Sequence, residues 1–264
     1  MKPGVTQLVV PREWSTPQFI KESAAAGYEC VELALRNTGD LTPDVSDDVL
    51  KEIRAAADEH HIELASMVHG QCTGSLLAGG AAAETSLNET RRGLEIAAAL
   101  SIGCTLHTLG RQSAEIYYDD AFDFAVANLK SLAADCRKYR TMIAIEFVWN
   151  GFLFSPREMR QFLDAVGESE IGFYFDPGNM AVYQFPHHWV RATASHIKMV
   201  HLKDWTGGPL NGSWPRLLTG GIDYRTMNAE LRSAGYDGPM ISEVDLSAAT
   251  LSETCEDIRK VIAL

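Results

Sequence analysis

Seven residues able to ligate a metal or move a proton stand near the ends of short apolar runs: Glu32, His69, His107, Glu146, Asp176, His201 and Glu243. Their neighbours are strongly apolar, as in IAIEFV, FYFDPG, MVHLKD and MISEVD. A carboxylate in such surroundings is expensive to bury alone and needs a cation, a metal or hydrogen-bond donors. The set offers carboxylates and imidazoles and no thiolate, which suits a hard or borderline divalent ion: Mn²⁺ or Mg²⁺ first, with Zn²⁺ also open. Glu146, Asp176, His201 and Glu243 fall at four successive run ends and form the strongest combination. Glu32 has a simpler explanation in a pair with Arg36. His69 and His107 stay open between touching a substrate, binding a second ion and lining the mouth of a site. His60, His61, His187, His188 and His196 fall on helical segments or their edges and read as surface or packing residues.

The elements that must position these residues alternate. Runs rich in β-branched residues at Thr6–Val10, Cys30–Leu35, Leu64–His69, Cys104–Leu109, Met142–Val148, Ile171–Asp176, Met199–Asp204 and Met240–Asp245 predict eight strands. Between them lies helix punctuation. Thr16-Pro17 and Thr42-Pro43 read as an N-cap followed by proline in the first turn, and Ser155-Pro156-Arg157-Glu158 adds capping-box spacing. Phe122, Val126, Leu129, Ala133 and Cys136 step along one helix face. Gly27 and Gly235 read as helix stops, each followed by Tyr and a strand. Gly70–Ala83 and Trp205–Ile222 read as long loops after strands. Strands alternating with helices over this length predict an α/β fold, a single (β/α)₈ TIM barrel spanning residues 1–264. An open doubly wound sheet would want a glycine-rich turn after its first strand, where this chain has VVPREW.

Charge and cysteine usage narrow the partners. With 23 Lys+Arg against 35 Asp+Glu the formal charge is −12, which argues against nucleic acid and anionic membrane as partners. The first residues lack a signal-peptide apolar run, and no stretch reaches a membrane span. The five cysteines form no C-x-x-C pair, so buried free thiols and a cytoplasmic location are expected.

On the Glu of IAIEFVWN, the Asp of FYFDPGN, the His of HLKD and the Glu of PMISEV, with the lead-in GGIDYRTMNAELRSAGYDGP, the chain resembles the xylose isomerase-like TIM-barrel superfamily. That group holds ketose 3-epimerases, hydroxypyruvate isomerases, inosose dehydratases and endonuclease IV. The resemblance implies one divalent metal held by Glu146, Asp176, His201 and Glu243, with Glu146 and Glu243 doubling as the acid–base pair. It implies an isomerase or epimerase of carbohydrate metabolism that moves a proton on a ketose or keto-sugar through an enediolate. Relatives often carry His three residues after the metal Asp; here Asn179 stands there, an amide that can bond a hydroxyl but cannot act as a general base.

Substrate contacts are expected from His69, His107, Asn179, Trp14, Lys203 and Arg216. Tryptophans near run ends (Trp14, Trp149, Trp205, Trp214) suit stacking on a sugar, and Lys203, Arg36, Arg111 and Arg216 suit an anionic group. The expected partner is a small sugar; a homo-oligomer is left open. Three other functions compete. One is a keto-sugar or keto-inositol dehydratase or lyase at the same metal site. Another is an endonuclease IV-like repair enzyme, disfavoured by Asn179 and by Ser213-Trp214-Pro215-Arg216, which lacks further ligands. The last is a barrel that only binds, which would have no use for an acid–base pair.

Overall fold

A computed structural model describes residues 1–264. Eight parallel strands close a barrel: β1 (Lys2–Thr6), β2 (Cys30–Leu35), β3 (Glu63–His69), β4 (Cys104–His107), β5 (Met142–Glu146), β6 (Ile171–Phe175), β7 (Ile197–Leu202) and β10 (Pro239–Ser242). Each pairs with its predecessor in sequence except that β10 follows β7 and closes onto β1. The short strands β8 (Thr206–Gly208) and β9 (Asn211–Ser213) form an antiparallel hairpin above the barrel. The helices are α1 (Thr16–Ala25), α2 (Asp47–Glu59), α3 (Gly80–Ala99), α4 (Tyr118–Tyr139), α5 (Pro156–Val166), α6 (Pro177–Ala181), α7 (Pro186–Thr193), α8 (Tyr224–Ser233) and α9 (Leu251–Ala263). This is the expected (β/α)₈ barrel. None of the helices is long and apolar enough to cross a membrane.

The main core lies between the strands and the helices and holds 56 buried residues; only nine apolar residues, among them Leu106, Ala144, Tyr174 and Ile241, form the cluster inside the barrel. The interior therefore has room for polar side chains at its upper end. Alternation along each strand decides which side chains point there.

Several expected boundaries change: β4, β5, β7 and β10 end two or three residues earlier than expected, and four further changes have a visible local cause. The first strand is Lys2–Thr6, with Gln7–Val9 in a 3₁₀ turn where the chain was expected to run extended to Val10. Thr6 accepts the Leu8 N–H and bends the chain, while Gly4 lets β1 sit where a Cβ would come within 2.3 Å of Ile241. Ser15, not Thr16, caps α1, because the Thr16 hydroxyl is buried against Asp40. The Thr42-Pro43 signal opens a turn; α2 starts at Asp47 behind Ser46, with Asp47 and Asp48 complementing the helix dipole. Both expected loops are partly regular, since α3 already begins at Gly80 and the β8–β9 hairpin lies within the second. Ser155 does cap α5, and Gly27 and Gly235 take φ of +95° and +79° as helix stops.

Candidate active site and metal centre

Glu146 is the last residue of β5, Asp176 follows β6, His201 lies in β7 and Glu243 follows β10. These strands are neighbours in the wall, so their inward side chains converge: one ligand atom from each of the four lies within 4.8 Å of all the others. Glu146, Asp176 and His201 are buried; the Glu243 side chain is 24% exposed.

Each carboxylate and the imidazole has a second hold. His201 Nε2 lies 2.8 Å from Glu32, while Nδ1 lies 3.0 Å from Glu146 and 3.5 Å from Glu243. Donation from Nε2 to Glu32 leaves Nδ1 facing the cluster, the usual way an outer carboxylate orients a metal-binding histidine. Asp176 Oδ1 accepts the Gly178 and Asn179 N–H groups at 2.8 and 3.2 Å as the cap of α6. Its Oδ2 is buried and has no well-aligned hydrogen bond; the Lys203 ammonium stands 3.0 Å away. Lys203 also donates to Glu243 at 2.7 Å. Asn179 Nδ2 donates to the Phe147 carbonyl at 3.0 Å and reaches Glu146 at 3.5 Å.

The electrostatics follow from burial. Desolvation pushes the Glu146 carboxyl up to about 7; Glu243 and Asp176 add to the rise, and His201 opposes it. Burial by itself would lower His201, but Glu32 and Glu146 outweigh it and hold the imidazole above its ordinary value. Burial likewise opposes the charge on Lys203, and Asp176 and Glu243 overcome it. Three carboxylates and one imidazole in a small, largely buried volume match the donor set of a divalent cation.

A family model described as xylose isomerase-like TIM barrel matches residues 20–261. The chain belongs to this family. Among solved structures it resembles a D-psicose 3-epimerase with D-tagatose from Clostridium cellulolyticum H10, at 15% identity, 99% of each chain and a TM-score of 0.85. It also resembles the 3-keto-D-glucoside 4-epimerase YcjR from E. coli, at 13% identity, 100% of each chain and a TM-score of 0.81. A third likeness is to the IolI protein with a bound zinc atom, at 17% identity, a TM-score of 0.80, and 100% and 98% of the two chains. At these identities the likeness is one of fold. A curated relative, the 3-oxo-isoapionate decarboxylase of Pectobacterium atrosepticum, is 27% identical over 143 residues, and the match spans about half the length of each protein.

Within this xylose isomerase-like barrel the remaining expected residues scatter. Asn179 and Lys203 stand in the cluster. His69 and His107 do not: they point out of the barrel onto α3. His107 pairs in register with Ile145, on the opposite face from Glu146. Its Nδ1 accepts the Leu109 N–H at 2.8 Å, and its Nε2 meets Thr90 of α3 at 3.2 Å. His69 packs so closely on Gly93 of α3 that a Cβ there would lie 2.3 Å from the ring. Trp14 is half-buried in a cleft with Glu22, Leu246 and Thr250, between α1 and the segment before α9. Arg216 is committed to Asp257 and Glu253 of α9.

The partners of Glu32 and Arg36 and the mutual stacking of three of the expected tryptophans were not foreseen. Glu32 does not pair with Arg36; it is fully buried and accepts from Ser66 and Tyr174 as well as facing His201. Arg36 bonds instead to the Gln7 carbonyl at 2.8 Å. The aromatic wall consists of Trp214, stacked on Trp149 at 5.3 Å and touching Trp205 at 4.6 Å, with the Lys203 ammonium 5.3 Å from the Trp214 ring centre. Strand parity was the available signal for Glu32, since it shares its face with the interior Cys30; nothing in the sequence paired the tryptophans.

Proposed function

We propose that this chain is a divalent-metal-dependent sugar isomerase or epimerase that moves a proton on the carbon next to the carbonyl of a ketose or keto-sugar. The observation that carries the reading is the convergence of Glu146 and Glu243 on one cluster with Asp176 and His201. A divalent ion bound there would act as a Lewis acid on the substrate's carbonyl. Glu146 is a buried carboxyl within reach of the space beside the cluster, where an acid–base residue must stand to exchange a proton with substrate. Glu243 reaches the same space from β10, on the other side of β6 and β7 from Glu146. A proton taken by one glutamate can therefore be replaced by the other on the opposite face of that carbon (epimerisation), or delivered to the neighbouring carbon (isomerisation). Asn179 and Lys203 offer N–H donors beside the cluster, and Trp214 with Trp149 offers a flat apolar wall for a sugar ring.

The decarboxylase relative favours one second reading. A 3-oxo sugar acid would lose CO₂, the electron pair of the broken C–C bond would pass into the enediolate, and a glutamic acid would protonate the carbon. A three-metal nuclease centre is disfavoured because His69 and His107 face α3 and not the cluster.

Metal-reconstituted protein incubated in D₂O with ketoses, keto-sugars and 3-oxo sugar acids, followed by NMR, tests these readings. Metal-dependent deuterium uptake at the carbon next to the carbonyl supports proton transfer, and bicarbonate release would select the second reading. Glu146→Gln and Glu243→Gln are each expected to lower exchange by at least about 10²-fold while the fold survives. Full exchange in both variants would overturn the acid–base assignment.

A further inference from the structure

Lys203 is placed with unusual care for a residue outside the ligand set. Its stem lies against the start of α6, where a Cβ on Gly178 would come within 2.3 Å of Lys203 Cγ. Trp214 covers it, and the side chain is only 14% exposed, so its charge is poorly screened by water. Its ammonium contacts two particular oxygens, Asp176 Oδ2 at 3.0 Å and Glu243 Oε2 at 2.7 Å. These are the atoms an entering ion would need. The other Asp176 oxygen is occupied by backbone N–H groups of α6, and Glu243 Oε2 is the oxygen facing His201.

We infer that Lys203 is the resident counter-cation of the metal centre. Its ammonium holds Asp176 and Glu243 together, and an ion must share or displace it at both oxygens. Lys203 therefore draws these two ligands together and holds metal affinity below what the four ligands would otherwise reach, because like charges at this separation repel strongly in a desolvated site. The inference rests on the metal-site reading above and concerns how that site is filled.

The test uses Mn²⁺ alone. Chelator-stripped wild type, Lys203→Met and Lys203→Gln are compared by thermal melting with and without Mn²⁺ and by calorimetric Mn²⁺ titration, with Asp176→Asn as the ligand-loss control. Both neutral variants are expected to melt several degrees below wild type when stripped, to bind Mn²⁺ at least tenfold more tightly, and to gain more in Tm from the ion. If Lys203→Met fails to fold without metal, recovery on adding Mn²⁺ counts for the inference, and lack of recovery in both variants counts against it. Unchanged or weaker Mn²⁺ binding in both variants would overturn the inference while leaving the metal site intact. Absence of Mn²⁺ binding in wild type, with Asp176→Asn indistinguishable, would overturn the metal-site reading and this inference with it.

Discussion

Glu32 has no charged partner except His201, yet it sits at the centre of the barrel with every oxygen occupied: Ser66 and Tyr174 at 2.8 and 2.6 Å on one, His201 at 2.8 Å on the other. An outer carboxylate of this kind sets the tautomer of a metal-binding histidine, and its loss typically costs about 10–100-fold in metal affinity. Glu32→Gln should therefore weaken Mn²⁺ binding by about tenfold or more in a titration, and unchanged affinity would remove it from the site. His107 supplies a different kind of prediction. Burial pushes its pKa down to about 4, against an ordinary value of 6.5. Between those values the unfolded chain takes up a proton that the folded chain refuses, so this contribution is present above pH 6.5 and drains away as pH falls toward 4. At pH 5 it should amount to about 2 kcal/mol lost. Denaturant unfolding at pH 7 and pH 5 should show the gap between wild type and His107→Gln narrowing by that amount; a constant gap would refute it. The two residues show what the sequence left open. Both were visible as ionisable groups near strand ends, but whether each faces the axis or the helices depends on strand parity and register. Glu32 turns in and His107 turns out.

At the scale of elements, punctuation was legible where a cap and a hydrophobic face agreed. Ser155 caps α5 by accepting the Glu158 N–H at 3.2 Å, although the return half of the box is absent because the Glu158 carboxylate is taken by the Tyr118 hydroxyl. Thr250 and Glu253 form the complete box on α9. Thr42-Pro43 misled because a stronger start, Ser46 followed by two aspartates, lies four residues on. The first strand misled because the β-branched Val9 and Val10 outweigh the glycine and proline of KPGVT in any propensity count, whereas close packing of Gly4 on Cys30 and Ile241 decides the matter. A second glycine makes this testable. Gly93→Ala should destabilise the protein by about 1–3 kcal/mol, because its Cβ would overlap the His69 ring. Pairing it with His69→Ala should recover part of that loss in a double-mutant cycle, and strictly additive effects would show that the contact is not the cause.

The whole molecule places most of its apolar packing outside the strands, which leaves the barrel's upper end free for charge. It also buries its thiols. Cys30, Cys104 and Cys136 are buried and Cys72 is partly so, and desolvation pushes all four up to about 12. A thiolate is the reactive form. The native protein at pH 8 should therefore react slowly with a disulfide reagent such as DTNB, and all five thiols should react at once after unfolding in guanidinium. A fast thiol in the native state would contradict the closed packing described here.

The residue types, their order and the alternation of elements were enough to predict a (β/α)₈ barrel and to single out Glu146, Asp176, His201 and Glu243, because hydrophobic periodicity and a buried charge's need for partners are local properties of the chain. What only the tertiary structure decided was direction and company. Glu32 rather than Arg36's partner, Trp214 rather than Trp14, and His69 and His107 against α3 rather than in the mouth all follow from closure of the barrel. Closure sets the register between distant strands, and register determines which face of each strand meets the axis.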